Sequence, residues 1–291
     1  MKALSKILIA YDGSACSDAA LQDLKRAGLP AAADALVVTV ADVIVPPPDE
    51  ELPDEPAVRI PEVERHARER REKAVAEAQA LAGSAAGRVK EAFPGWRVNA
   101  EVDCDSAPWA LIKMADRLRA DLIVVGSHRH SVAGGRLILG STSQRVLYDA
   151  RCSVRVARCS DGQRGGPVRI VVGFSGTPDA DEAVAAVAAR AWPEGSEARL
   201  VTAGHESGPD ASRAAAERLR AAGLSVSEFE RDGNPSHVLI KEAEQWDADS
   251  IFVGTRGLHG FQHLLHGSVA SAVAARAQCS VEVVRPEAGT V

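Results

Sequence analysis

The sequence predicts an α/β protein: two tandem copies of an open, mostly parallel five-stranded sheet flanked by helices. Two observations carry that prediction. Short apolar bursts such as KILIA, LVVTV, DLIVV and SIFV precede turns and helical stretches, the signature of strands buried on both faces of a parallel sheet. The same segments then recur in the same order along the 291-residue chain.

The repeat has three collinear blocks. KILIAYDGS (6–14) matches RIVVGFSGT (169–177), and LVVTV (36–40) matches RLVTA (199–203), both at an offset of 163. DLIVVGSHRHSVAGGRLILGSTSQRVLYDARCSVRVAR (121–158) matches DSIFVGTRGLHGFQHLLHGSVASAVAARAQCSVEVVR (249–285), at 128 before the loop and 127 behind it. The offset falls by 35 between the second strand and the loop block, so the first copy carries an insertion within residues 42–97. Domain boundaries of 1–160, with the insertion at about 46–93, and 167–286 follow. CSDGQRGGP (159–167) is the linker.

Taken in order, each copy reads β-α-β-α-β-α-β-α-β, with right-handed crossovers. PPPDEELPDEP (46–56) holds five prolines and five acids, excludes helix and central strand, and is expected as an exposed connector. Pro61 suits a first helical turn, with Glu62 and Glu64 complementing the dipole. Val63, Ala67, Ala74, Ala78, Leu81 and Val89 then form the apolar stripe, and Arg65, Arg68, Arg70 and Arg71 alternate with acids on a solvated face. In DSAPWALI (105–112), Trp109 is expected in the core; in DGNPSHVLI (232–240), Pro235 is expected to start a helix. Cys152 and Cys279 head equivalent last strands as core residues.

The run VGTRGLHGFQHLLHGSVASAV (253–273) places Gly254, Gly257 and Gly267 at G-x2-G-x9-G, with Ser268 following, between a strand and an Ala/Val-rich helix. Glycines there let backbone approach a ligand, and free amides at the helix start attract an anion such as a phosphate chain. A plain strand-to-helix turn would also contain glycines; the near recurrence of the pattern favours a site. Neither Gly-Lys nor G-x-G occurs, which excludes a Walker A loop and the dinucleotide fingerprint.

Composition narrows the class. The net charge of −6 sits in the second copy, since residues 1–160 hold 22 basic and 22 acidic side chains and the remainder 12 and 18. Neither half has the basic footprint of a nucleic-acid binder. With no apolar run of about 18 residues and no signal peptide, a soluble, cytoplasmic protein without membrane contact is expected. Five cysteines without C-x-x-C point to reduced thiols.

On these residues the chain resembles a tandem universal stress protein of the nucleotide-binding branch. That resemblance covers essentially its full length and implies a Rossmann-like, adenine nucleotide alpha hydrolase-like fold. In that branch an Asp ending the first strand touches the nucleoside and a G-x2-G-x9-G-(S/T) loop wraps the phosphates. The second copy matches the loop completely through Gly254, Gly257, Gly267 and Ser268, but has Ser175 at the Asp position. The first copy keeps Asp12, Gly126, Gly140 and Ser141, but has Arg129 at the second glycine and one extra loop residue. Val40 and its counterpart Ala203 match the adenine-lining position.

The resemblance implies ATP or a related adenine nucleotide as ligand, with or without Mg, an unidentified protein partner, and a stress-response regulatory role. Arg129 brings a side chain where backbone must pass, or pairs with phosphate. Asp12 would add a charge-assisted bond of about 1.5–3 kcal/mol against about 1 for Ser175. The second site is therefore expected to be the better ATP site. His128, His130, His259, His263 and His266 crowd the two loops. Without a companion Glu they are read as solvent-facing or phosphate-proximal, with neither a metal site nor catalytic residues assigned. The SGGxDS loop of adenylating relatives is missing from DGSACSD and SGTPDAD, so an efficient enzyme is not expected and slow ATP hydrolysis remains the enzymatic alternative. A dimerisation scaffold with degenerate sites is the other alternative. Single-copy relatives pair through their last strands, which implies antiparallel pairing of CSVRVAR with CSVEVVR inside this chain, with a homodimer as a further option.

Overall fold

The computed structural model describes residues 4–41, 61–127, 139–158, 165–204, 208–255 and 268–286. The first half runs β1 (Lys6–Ala10), α1 (Ala15–Asp23), β2 (Asp34–Val40), α2 (Pro61–Ala92), β3 (Arg97–Asp103), α3 (Ala107–Leu118), β4 (Leu122–Ser127), α4 (Ser141–Asp149) and β5 (Ser153–Arg158). The second repeats it as β6 (Arg169–Phe174), α5 (Pro178–Ala188), β7 (Glu197–Ala203), α6 (Pro209–Ala221), β8 (Ser225–Arg231), α7 (Pro235–Trp246), β9 (Ser250–Gly254), α8 (Ser268–Arg276) and β10 (Ser280–Val284). The strands make one ten-stranded sheet in the order β3-β2-β1-β4-β5-β10-β9-β6-β7-β8.

Every neighbouring pair is parallel except the central one. There β10 meets β5 antiparallel, with Val281 opposite Val156, Glu282 opposite Arg155 and Val283 opposite Val154. The pairing anticipated from the two end strands is therefore present, and it satisfies backbone groups that an edge would leave open. Alternation along a strand sends the four valines to one face and Arg155 with Glu282 to the other. On the valine face a single apolar cluster joins α3, α4, α7 and α8 across the junction. On the opposite face the apolar packing divides into one cluster under α1 and α2 and another under α5 and α6.

A pseudo-twofold axis relates the halves, and hydrogen bonds report it reciprocally. The Arg158 N–H donates to Ser280 Oγ at 3.1 Å, and the Arg285 N–H donates to Ser153 Oγ at 3.1 Å. The Arg158 guanidinium reaches the Ala274 carbonyl near the end of α8, and that of Arg285 reaches the Leu147 carbonyl near the end of α4. Each donor and acceptor maps to its counterpart at the repeat offset of 127. Each arginine also sits where a helix C-terminus favours positive charge.

Between the two halves of the opposite face lies a buried ion network. Arg155 donates to Asp23 from Nε at 2.5 Å and from Nη2 at 3.0 Å, and its Nη1 lies 3.4 Å from Glu282. Glu282 also takes the guanidinium of Arg190, which bonds the Ala27 carbonyl of the first half. Burial alone would lower the pKa of the Arg155 guanidinium; Asp23 and Glu282 outweigh it and hold it above its ordinary value. Arg26 bridges to Asp249 at 2.8 Å beside it.

Two sequence expectations need correction. Trp109 is not core: it is 50% exposed on the first turn of α3, its ring covered by the Arg145 guanidinium at 5.1 Å. An indole on a helix start near the sheet's carboxyl edge has no apolar layer to enter, and a cation over its face replaces one. On α2 the buried stripe is Ala78, Ala82, Ala85 and Val89, while Leu81 is 38% exposed. The i, i+4, i+7, i+11 spacing carries that stripe past Leu81, which lies on its flank near Gly13. Val63 lies outside the residues whose side chains are described. The mixed-charge face is solvated as expected, with Arg68–Glu72 at 3.1 Å and both groups exposed.

The halves differ most in α2, which has 32 residues against 13 in α6. Those lengths correspond to about 48 and 20 Å. Asp18–Arg88 in the first half and Asp181–Arg218 in the second tie the paired helices together at equivalent places. The additional turns of α2 therefore lie on its N-terminal side.

Candidate functional site

In each half the strand order reverses between the first and fourth strands, β1/β4 and β6/β9. Adjacent crossovers there leave on opposite faces and open a crevice at the strands' carboxyl ends. Because the halves run antiparallel, the two crevices lie on opposite edges of the sheet, each separated from the junction by two strands.

Asp12 stands at the end of β1, exposed, in the turn that starts α1. Gly13 takes φ +76 there, which its lack of Cβ allows. The Ser14 N–H donates to Asp12 Oδ1 at 3.0 Å, and Ser14 Oγ accepts from the Ser17 N–H at 3.2 Å, capping the helix. Partial burial alone would raise the Asp12 carboxyl; hydrogen bonds from the Ser14 hydroxyl and N–H and from the Ser17 hydroxyl outweigh it and hold the group below its ordinary value of 3.8. Ser175 holds the matching place after β6, with its Oγ 3.0 Å from Thr177 Oγ1, the cap of α5.

Tyr11, Asp18 and Arg88 form a cluster beside Asp12 that sequence reasoning did not find. Tyr11 Oη donates to Asp18 at 2.9 Å, and Arg88 reaches the same carboxylate oxygen at 2.6 Å. The Arg88 and Tyr11 hydrogen bonds hold the Asp18 carboxyl below its ordinary value. Arg88 comes from a helix 70 residues away. For both Asp12 and Asp18 the folded pKa is depressed, so their contribution to stability is present above about pH 4 and fades as pH falls through the folded values. Denaturant titrations at pH 7 and pH 3 should show the acid loss reduced in Asp12→Asn and Asp18→Asn. An unchanged acid loss would remove these carboxyls as its source.

At the other wall Gly126 and Gly254 are equivalent in structure as well as sequence. A Cβ on Gly126 would overlap the Cys16 carbonyl, and one on Gly254 the Asp179 carbonyl, well inside contact distance. The first glycine of each loop thus lets the first turn of α1 or α5 lie directly on the strand. Ser143 Oγ donates to the Gly126 carbonyl at 2.9 Å and ties α4 to the same point. Asp179, buried in the first turn of α5, stands 3.4 Å from Thr255 Oγ1 and gives the second crevice a carboxylate where the first has Cys16.

Gly140 caps α4, which begins at an exposed Ser141, and α8 begins at Ser268. Val40 and Ala203 end β2 and β7, half-buried against the core. Gly257, Gly267, Arg129 and the loop histidines lie outside the described residues. Among the described residues no group of three metal-ligating side chains converges, and no helix is long and apolar enough to cross a membrane. Cys152 and Cys279 are half-buried against the core rather than members of it, and burial pushes their thiols up to about 12, away from the thiolate form.

Comparison with known proteins decides the family. The profile of the universal stress protein family matches residues 4–158 and 197–285. The chain belongs to the universal stress protein family. A universal stress protein of Mycolicibacterium smegmatis is 31% identical over 300 residues, covering 96% of this chain and 97% of the relative. The crystal structure of a universal stress protein from Archaeoglobus fulgidus has a TM-score of 0.70 at 20% identity, covering 98% and 99% of the two chains. A universal stress protein structure from Pseudomonas aeruginosa has a TM-score of 0.59 at 18% identity, over 98% and 94%. These likenesses support the two-copy fold of this universal stress protein along its whole length.

Proposed function

We infer that this universal stress protein is a nucleotide-binding regulatory module, with ATP as its ligand and the β6/β9 crevice as its principal site. The observation that carries the reading is the coincidence of two features at one place. The strand order reverses at β6/β9, and the complete run Gly254, Gly257, Gly267, Ser268 leads from β9 into α8. The first amides of a helix have no partner within it, so the start of α8 suits a phosphate chain. Asp179 beside Gly254 makes the α5 side of the crevice negative, so the phosphates belong on the α8 side. In the first half, Asp12 offers a carboxylate that is ionised at neutral pH to a ribose, while the sequence has Arg129 in place of the loop's second glycine.

Calorimetry with ATP tests the placement. Gly257→Val should weaken binding by at least about tenfold, or about 1.4 kcal/mol, because a branched side chain narrows the backbone's approach. Unchanged affinity would sink the placement. A second reading, a pairing scaffold with empty sites, is favoured by one observation: Gly126 and Gly254 are already required by helix–strand packing, without a ligand. Native mass spectrometry of the purified chain separates the two. Bound adenine nucleotide supports the first, and bare protein with no ATP affinity supports the scaffold.

A further inference from the structure

We propose that the seam between the halves accepts unlike strands only: β5 pairs with β10, and the like pairings of β5 with β5 or β10 with β10 of a second copy are excluded by the buried side chains at the axis.

Arg155 and Glu282 occupy the same position of the repeat and face each other at the pseudo-twofold axis. A like pairing would make that axis exact and set each residue against itself. In β5·β5, two fully buried arginines would meet, each losing the share of Glu282 that it now has. In β10·β10, two buried glutamates would meet without Arg155 between them.

The neighbouring contacts repeat the asymmetry. Arg190 bonds the carbonyl of Ala27, and position 27 of the first half corresponds to Arg190 itself in the second. A β10·β10 pairing would therefore converge two further arginines. Trp192 lies against Gly28 so closely that a Cβ there would stand 2.8 Å from its ring carbons. The residue at that position in the second half is Ala191, which carries such a Cβ. The Ala191 N–H donates to the Gly28 carbonyl at 3.1 Å, so these two residues do meet across the axis. Like charges facing one another in a desolvated seam disfavour the wrong partner more than they strengthen the right one.

The consequence is a chain that closes on itself. A second copy could enter the seam only by exchanging halves, with β5 of one chain against β10 of the other.

Full-length chains test this. Chains carrying Val154→Cys and chains carrying Val156→Cys are unfolded together, refolded at high concentration, oxidised, and their disulfides mapped by peptide mass. A β5·β5 pairing would place 154 of one chain opposite 156 of the other, as Val281 now stands opposite Val156. With the native seam, that mixed disulfide should be at least about tenfold rarer than the intrachain bond of Val156→Cys/Val281→Cys. Adding Arg155→Gln with Glu282→Gln, whose amides can pair with themselves, should raise the mixed disulfide about tenfold.

Circular dichroism reports whether that variant folds. If it does not, Glu282→Gln alone is used, with Val281→Cys and Val283→Cys chains reporting β10·β10 pairing, and the same rise is expected. A mixed disulfide as abundant as the intrachain one in the native seam would overturn the proposal. So would no increase when the charges are removed.

Discussion

Glu282→Ala is expected to destabilise the chain by about 3–5 kcal/mol, the cost of leaving a buried charge without its partner. Glu282 is 1% exposed and lies between Arg155 and Arg190, two guanidinium groups for which burial is costly without a carboxylate partner. Its removal leaves Arg155 with Asp23 and leaves Arg190 with the Ala27 carbonyl. Since a domain's whole stability is about 5–15 kcal/mol, urea unfolding should show a large fall in midpoint. A conservative apolar swap of the entire network could be neutral, but a single truncation cannot be. A midpoint shift equivalent to less than about 1 kcal/mol would mean that water reaches the seam and the charges are solvated.

Gly254→Val should be nearly as damaging, at about 3 kcal/mol, for a steric reason. Its side chain would have to occupy the space of the Asp179 carbonyl, which is backbone in the first turn of α5 and cannot rotate away. The helix would shift off β9, opening the apolar packing around Val184 and Phe252. Thermal denaturation checks it. The predicted loss is present without nucleotide, which separates this glycine from Gly257, where the expected effect is on affinity. An apo protein of native stability would show that α5 yields easily and that the glycine serves something else.

Periodicity and repetition made the α/β class and the duplication readable, because both are local properties copied along the chain. The central pairing came from the resemblance to single-copy relatives that pair through their last strands, and the matching length of the two strands permitted it. Pro61 and Pro235 marked helix starts correctly, since a fixed φ and a missing N–H suit the first turn wherever the helix packs. Trp109 and Leu81 were misread because an apolar side chain shows only that burial would be favourable, not whether a layer exists to receive it. The cluster of Tyr11, Asp18 and Arg88 and the network of Asp23, Arg155, Arg190 and Glu282 were invisible for another reason. Bonded partners such as Arg155 and Asp23 are 132 residues apart, and no local pattern marks a charge whose partner arrives from another helix or another half.

By itself, then, the sequence determined which segments are strands and that they occur twice. Only the tertiary structure decided that Gly126 and Gly254 are held by the backbone of α1 and α5. Only it showed that the two crevices open on opposite edges of one sheet and that the axis between the halves carries an arginine facing a glutamate. Secondary structure follows from short-range sterics and hydrophobic spacing, which the chain carries locally. The seam is an interaction between groups that share a low-dielectric space, and that space exists only after folding.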